Sequence, residues 1–319
     1  MIAPLVSIIT PSFNQANFIG KTIQSVLDQD YPNVEYWVID GGSTDGSVKI
    51  INQYSNRLSG WLSEKDKGQA DGINKGLKMA SGEYVAWLNS DDLYLPGAIS
   101  AAVKTFQAHP GVSFVYSDVD SIDENGKIFN RMRYGNWDLE DLMQFKIIGQ
   151  PAVFMRREVL EKAGYLDLSY HYILDHHLWL RLAALCPPVY ASGQVWAQAR
   201  IHSSAKNVAA AQAFGPEAFR LAKWIGENEA FYPENARLHR KIWAGAYRFS
   251  AFYLVEAGLN HEAAGMYRQS FKLDPANALQ DWKHMLLALV GPATTALLRK
   301  PVEWLRRKKF ARKEEPKHG

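Results

Sequence analysis

Apolar residues at the start of the chain come in short, β-branched runs that alternate with stretches of helical spacing. Residues 5–10 form the first run, stopped at Pro11, and residues 17–29 follow with Phe18, Ile19, Ile23, Val26 and Leu27 on one face. This predicts a strand and then a helix. A second strand is expected over 34–39 and a second helix over 47–54, joined by Asp40-Gly41-Gly42-Ser43-Thr44-Asp45-Gly46. A third unit runs from Trp61-Leu62 through Asp66-Lys67-Gly68 to a helix over 72–79. Residues 84–88 are almost wholly apolar, as a strand buried on both faces should be, and they end at Asn89-Ser90-Asp91-Asp92. Successive strand–helix units predict a parallel sheet with right-handed crossovers. A fifth strand is expected at 114–116, a further strand or hairpin arm at 128–133, a helix at 174–184 and an extended segment at 195–201.

The polar clusters after Thr10, Ile39 and Leu88 all fall at carboxyl ends of expected strands, the edge where open α/β sheets bind ligands. After about residue 214 the pattern is helical throughout. There Tyr247, Ala251, Leu254, Gly258, Ala263, Tyr267, Phe271 and Pro275 fit either one tetratricopeptide-like repeat or a plain helical hairpin. The expected divisions are 1–210, 211–282 and a basic amphipathic tail, 283–319, with Trp304, Leu305 and Phe310 among its basic residues.

A chain of 319 residues with 47% hydrophobic and 22% charged residues has the composition of an ordinary globular protein of about two units. The net charge of +3 is unevenly placed: residues 283–319 hold ten Lys or Arg against three Glu, or +7, leaving −4 for the rest. That distribution argues against a nucleic-acid-binding face and marks the tail as a candidate for an anionic membrane surface. Cys186 stands alone, which excludes a disulfide framework and any multi-cysteine metal site and suits a reducing cytoplasm. The apolar run at the start has no basic segment before it, so no secretory signal is expected. The longest late apolar stretch, 285–298, is 14 residues and contains Gly291-Pro292, too short to cross a bilayer.

Two adjacent carboxylates after a buried strand repel one another, and a cation is the natural compensation. Asp91-Asp92 is therefore a candidate Mg²⁺ or Mn²⁺ site that would also bind substrate phosphates; the alternative is a cap for a helix starting near Leu95-Pro96. The glycines of the 40–46 loop permit close approach of a ligand to the backbone, and Asp40 can accept hydrogen bonds from a base or ribose, although the loop also reads as a turn with Ser43 or Asp45 as N-cap. Neither G-x-x-x-x-G-K-[ST] nor G-x-G-x-x-G follows the first strand, which argues against a phosphate-loop ATPase and a common dinucleotide dehydrogenase.

Taken together, Val6-Ser7-Ile8-Ile9-Thr10-Pro11-Ser12-Phe13-Asn14, the 40–47 loop, Asp66-Lys67-Gly68, Asn74-Lys75-Gly76, Ser81-Gly82-Glu83-Tyr84 and Trp87-Leu88-Asn89-Ser90-Asp91-Asp92 resemble the family 2 glycosyltransferases. Gln150-Pro151-Ala152-Val153-Phe154, Asp175 with Leu178-Trp179-Leu180-Arg181-Leu182, and Arg200-Ile201-His202 extend the resemblance over roughly residues 3–205. It implies an α/β glycosyltransferase-A fold, a Rossmann-like, mostly parallel sheet with flanking helices, here followed by a C-terminal helical region. It further implies an inverting transfer of sugar from a nucleotide-diphosphate donor to a hydroxyl of a saccharide or lipid-linked acceptor, in cell-surface polysaccharide or glycolipid synthesis. Pro11, Phe13 and Asp40 match positions that hold the base, Asp71 a donor-contacting position, Asp91 and Asp92 the metal and ribose-diphosphate site, and Asp175 the catalytic base. His202 is a further candidate metal ligand. Two positions depart from the pattern: Asn89 stands where many members carry Asp, and Leu174 where the neighbour of the base is usually Glu.

Adjacent residues on a helix point about 100° apart, so His176 and His177 are expected to pack rather than share an ion with Asp175. Trp179 and Trp196 are candidates to stack on sugars, and Trp87, inside a buried strand, is expected in the core. Two rivals are weighed. A nucleotidyltransferase usually carries a Gly-rich basic loop after its first strand, which residues 11–16 lack; a non-catalytic nucleotide-sugar-binding scaffold has no need of Asp91, Asp92 and Asp175 together. The expected location is the cytoplasm, peripheral on the inner face of the membrane.

Overall fold

The computed structural model describes residues 3–203 and 205–290. Two compact units emerge: one of Met1–Ser121, Arg131–Asp138 and Ile148–Arg200, the other of Ile122–Asn130, Leu139–Ile147 and Ile201–Gly319. The second thus begins earlier than position 211 and takes in two excursions from the middle of the chain.

The first unit begins with β1 (Val6–Ser12), α1 (Ile19–Leu27), β2 (Val34–Asp40), α2 (Ser47–Gln53), β3 (Gly60–Ser63), α3 (Gln69–Met79) and β4 (Tyr84–Trp87). Strands β3, β2, β1 and β4 lie side by side and parallel, with Val6 opposite both Val34 and Tyr84 and Ser12 opposite Asp40. Every residue of β1 and β4 is buried, which explains their lack of alternation: helices cover both faces of such a strand. Gly76 lets α3 lie directly on the sheet, since a Cβ there would fall 2.5 Å from Ile9 Cγ2.

Beyond β4 the chain departs from a purely parallel plan. A two-residue strand β5 (Leu93–Tyr94) precedes α4 (Ala98–Ala108), followed by the nine-residue β6 (Phe114–Ile122) and β7 (Ile128–Met132), and then by α5 (Leu139–Met143) of the second unit. Next come β8 (Val153–Arg156), α6 (Arg157–Ala163), α7 (Leu174–Leu185) and β9 (Val189–Arg200). The sheet order is β3-β2-β1-β4-β8-β6-β9-β5, with β7 against β6, and β8 runs antiparallel to both of its neighbours. The result is a mixed, mostly parallel sheet with flanking helices. An apolar cluster joins Ile8, Val38 and Ala86 of the parallel strands to Ile23 of α1, Phe106 of α4 and Phe154 of β8.

The second unit continues with α8 (Lys206–Ala209), α9 (Phe214–Glu227), α10 (Glu234–Glu256), α11 (Asn260–Leu273), α12 (Pro275–Ala278) and α13 (Trp282–Leu289). Helices α10 and α11 form a hairpin whose turn uses Gly258 at φ +79°, a conformation that favours glycine. Ala251, Val255, Ala263 and Tyr267 fill its seam, and Ala288 of α13 joins them. Asn260 Nδ2 donates to the carbonyls of Leu287 and Val290, both at 2.7 Å. The segment expected to open the tail at 283 therefore begins inside a helix tied to this hairpin; residues 291–319 lie outside the described residues. Among the described residues no helix is long and apolar enough to cross a membrane.

Candidate functional site

The carboxyl end of β4 runs into a tight turn in which Asp92 N–H donates to the Asn89 carbonyl at 3.0 Å. Thr22, on α1, shares its hydroxyl between the carbonyls of Ser90 (2.9 Å) and Asp92 (2.8 Å). Arg200, at the far end of β9, fixes both acidic residues at once. Its backbone N–H donates to Asp92 Oδ1 at 2.9 Å, and its Nε donates to the Asp91 carbonyl at 3.0 Å. The guanidinium lies over the Phe18 ring, 5.1 Å from its centroid. Asn89 accepts from Gln69 Nε2 at 3.0 Å and donates to Gln150 Oε1 at 3.2 Å, while Gln150 Nε2 donates to the Trp87 carbonyl at 2.7 Å. An Asn at 89 is thus used fully, as donor and as acceptor, which an ionised Asp could not be.

This turn does not cap a helix. Helix α4 begins at Ala98 with Gly97 at its N-cap and no side-chain cap, so the capping alternative for Asp91-Asp92 falls. Asp92 is 6% exposed. Burial, and then the charge of Asp91, push its carboxyl well above the usual carboxylate range, against the opposing pull of the Arg200 N–H and charge. Asp91 is half-buried and Asp92 buried, so two carboxyl groups crowd one turn. Two carboxylates with no third His, Cys, Asp or Glu grouped with them among the described residues fit a hard divalent cation that completes its shell with water and phosphate oxygens, and do not fit a closed protein cage.

The edge formed by β1 and β2 adjoins this turn through the register of the sheet. Gly41 N–H donates to the Ser12 carbonyl at 2.8 Å, so Phe13 and Gly41 leave the sheet together. Pro11 is buried and Phe13 is 60% exposed, an aromatic ring left in solvent. The two loops are knitted by Asn14, whose N–H donates to Ser43 Oγ (2.7 Å) and whose Oδ1 accepts the Thr44 N–H (2.9 Å), and by the Ala16 N–H donating to Asp45 Oδ2 (2.9 Å). Asp40 is 0% exposed. Its Oδ2 accepts from the N–H groups of Gly42 (3.1 Å) and Ser43 (2.9 Å) and from Ser63 Oγ (2.7 Å), and its Oδ1 accepts from Ser43 Oγ (2.5 Å). The Asp40 carboxylate is thus held by its own loop and by Ser63 of β3.

Asp71 lies in the first turn of α3, where its Oδ2 accepts the Lys67 N–H at 3.1 Å and sits 3.7 Å from Lys75 Nζ. Asp175 is half-buried in the first turn of α7, its Oδ1 accepting the His176 N–H at 2.8 Å. One helical turn further on, Trp179 stacks on Trp87 at 5.3 Å, which anchors α7 to β4. The charge of Asp175 reaches Tyr134, whose hydroxyl is pushed up chiefly by burial; that hydroxyl fills the space a side chain at Gly149 would need, next to Gln150. Trp179 and Trp196, considered for sugar stacking, are buried, as is Trp87, and all three belong to the core. His176 and His177 are buried as packing residues, His177 against the Tyr170 ring at 4.4 Å. His202 is buried in the second unit, its carbonyl accepting the Ala205 N–H at 3.0 Å.

Sequence reasoning quoted Gln150 and Arg200 only as parts of motifs and did not foresee what they hold. The signal was there in one respect: a fully buried Arg and Gln need partners, and strand-end carbonyls and carboxylates are the available ones.

Comparison with known proteins gives the arrangement its context. A putative teichuronic acid biosynthesis glycosyltransferase, TuaG of Bacillus subtilis, is 33% identical over 160 residues, covering 49% of this chain and 63% of that protein. An uncharacterized glycosyltransferase of Mycobacterium tuberculosis is 30% identical over 191 residues, 59% of this chain and 72% of that one. The chain spans 65% of the length of each of two uncharacterized Rickettsia glycosyltransferases that it matches. Among solved structures, S. aureus TarS 1-349 in complex with UDP-GlcNAc superposes with a TM-score of 0.59 at 17% identity, over 93% of this chain and 92% of that one. The mannosyltransferase PcManGT of Pyrobaculum calidifontis, in complex with GDP-Man and Mn2+, gives 0.61 at 20% identity, over 94% and 89%. These structures share the fold, and residues 7–164 match the model of Glycosyl transferase family 2. With its strand-end acidic turn, its loop after β2 and its relatives all agreeing, the chain belongs to glycosyl transferase family 2.

Proposed function

We propose that this protein transfers a sugar, with inversion, from a nucleoside-diphosphate donor to a hydroxyl of a saccharide or lipid-linked acceptor. The observation that carries the reading is the Asp91-Asp92 turn, whose carboxylates are crowded, partly desolvated and held in place by Arg200 on the sheet edge that also bears Pro11 and Phe13. Phe13 offers an exposed ring beside which a base can stack, and Pro11 and Asp71 border the same edge. Asp91 and Asp92 would hold Mn²⁺ or Mg²⁺ with the donor diphosphate. When bound, such an ion offsets the negative charge that builds on the departing nucleoside diphosphate, typically worth several kcal/mol. Inversion needs a base on the face of the anomeric carbon opposite the leaving group. Asp175, in the first turn of a helix anchored beneath β4 by Trp179, takes the proton from the acceptor hydroxyl as that oxygen attacks. Asn89, Gln69 and Gln150 keep the turn rigid, so little reorganisation accompanies the reaction.

The location we propose is the inner membrane surface, where a lipid-linked acceptor would be within reach. Trp282, Leu286 and Leu289 are exposed at helical spacing on α13, and nine Lys or Arg follow in residues 291–319.

Incubating the purified protein with UDP- and GDP-sugars tests the reaction. Release of nucleoside diphosphate should require Mn²⁺ or Mg²⁺ and stop in EDTA. Full activity in EDTA removes the ion from the mechanism, and no release or transfer from any donor removes the transferase reading.

A further inference from the structure

We propose that Thr22, on α1, is a positioning residue for the Asp91-Asp92 turn: its one hydroxyl sets the backbone of both acidic residues, and with it their affinity for a divalent ion. The inference rests on the metal-site reading above and goes beyond it by naming the element outside the turn that holds its shape.

Helix α1 packs Ile19, Ile23 and Val26 into the core, as its apolar spacing requires. Thr22 is fully buried on the same helix, where a hydroxyl needs a partner. A buried Thr in a helix can turn its hydroxyl back to the carbonyl four residues earlier. Thr22 points away from its own helix instead, to the carbonyls of Ser90 at 2.9 Å and Asp92 at 2.8 Å. Further along, Ser25 Oγ accepts the Tyr94 N–H at 3.2 Å, Gln29 Nε2 donates to the Leu95 carbonyl at 3.0 Å, and Gln29 Oε1 accepts the Ile99 N–H at 3.3 Å. Thr22, Ser25 and Gln29 thus form a polar line, at helical spacing, that grips successive backbone groups of the chain leaving β4. Thr22 is the step of that line that reaches the acidic turn.

The effect on the acidic residues follows from which peptide groups are held. The Ser90 carbonyl belongs to the peptide that enters Asp91, the Asp91 carbonyl to the peptide joining the two acidic residues, and the Asp92 carbonyl to the peptide that leaves Asp92. Thr22 holds the first and third, and Arg200 Nε holds the second at 3.0 Å. Each peptide group is planar, so fixing three successive planes fixes φ and ψ of Asp91 and of Asp92. The directions in which the two side chains leave the backbone are therefore set before an ion arrives. A hydroxyl carries a single hydrogen, so Thr22 draws two carbonyls onto one point and holds the turn closed against the repulsion of the carboxylates. If Thr22 were only a satisfied core hydroxyl, its loss would lower stability and leave the affinity for the ion as it was.

Equilibrium dialysis of the full chain against Mn²⁺, with UDP or GDP on both sides, reads the bound ion without turnover. Thr22→Val keeps the size and removes the donor, and it should need about 10- to 100-fold more Mn²⁺ for half-saturation, the range for lost support of a metal ligand. Thr22→Ser keeps the hydroxyl and should take up Mn²⁺ as the unaltered protein does. Ser25→Ala removes a hydroxyl from the same line one step beyond the turn; it should melt lower and still hold Mn²⁺ normally. Melting temperatures follow every variant, and Thr22→Ala carries the test if the valine variant does not fold. Normal Mn²⁺ uptake by Thr22→Val, weakened uptake by Thr22→Ser, or a loss in Ser25→Ala equal to that in Thr22→Val overturns the role of Thr22 and leaves the metal site standing. No Mn²⁺ uptake by the unaltered protein overturns the metal site, and this inference with it.

Discussion

Replacing Asp92 by Asn and by Ala separates two costs that this buried carboxylate combines. Its Oδ1 accepts the Arg200 backbone N–H at 2.9 Å. Asp92→Asn keeps an oxygen there, whereas Asp92→Ala leaves a buried N–H unpaired, at about 1 to 3 kcal/mol. Both variants remove the charge whose burial next to Asp91 raises the carboxyl. Each tenfold rise in proton affinity corresponds to about 1.4 kcal/mol. The sign follows from linkage. The unfolded carboxyl ionises near pH ~4, below the native one, so without a divalent ion stability is fully present below that pH and is lost as pH rises through the native value. In EDTA at neutral pH, Asp92→Asn should therefore melt above the wild type, and the gap should close toward pH ~4. Asp92→Ala should melt below Asp92→Asn throughout, by roughly 2 to 4 °C per kcal/mol for a unit of this size. Adding Mn²⁺ should raise the melting temperature of the wild type and neither variant, because a ligand bound only by the native state stabilises it. Scanning fluorimetry across pH reads all of this. An Asp92→Asn protein that melts below the wild type in EDTA at neutral pH, or one that matches Asp92→Ala, refutes the reasoning.

Asp175→Asn should bind nucleoside diphosphate as the wild type does while turnover drops by about 10² to 10⁴, the range for a lost general base; near-normal turnover would move that role to another carboxylate. Trp179→Phe should stay within about 1 kcal/mol of wild type in urea unfolding, because the smaller ring loses packing but also removes an indole N–H that is buried with no partner among the described residues. Trp179→Ala, measured alongside, should cost more. For the membrane, the full chain should float with anionic vesicles at low salt and be released at high salt, whereas a chain ending at Val290 should not float; equal behaviour removes the membrane reading. The cut belongs after Val290, not Trp282, because Asn260 and Ala288 tie α13 into the helical hairpin.

By itself the sequence determined the first four strands and three helices to within three residues at each end, together with the turns at their carboxyl ends. That part of the fold is local: β-branched runs buried on both faces, helical spacing between them, and Gly or Asp where each strand stops. It also placed Asp91-Asp92 at a strand end. What only the tertiary structure decided depends on partners far away in the chain. Strands β5 and β8 and helix α6 were not placed, and β8 enters antiparallel between β4 and β6 because pairing is set by the neighbouring edge, which no local period encodes. Arg200 reaches the Asp91 carbonyl across 109 positions of sequence, and Trp179 turned out to pack under Trp87 instead of facing a sugar. Thr22 shows the same division most sharply. By sequence it is one polar residue within an apolar helical face, and only the packing of α1 against the turn after β4 supplies the two carbonyls that its hydroxyl meets.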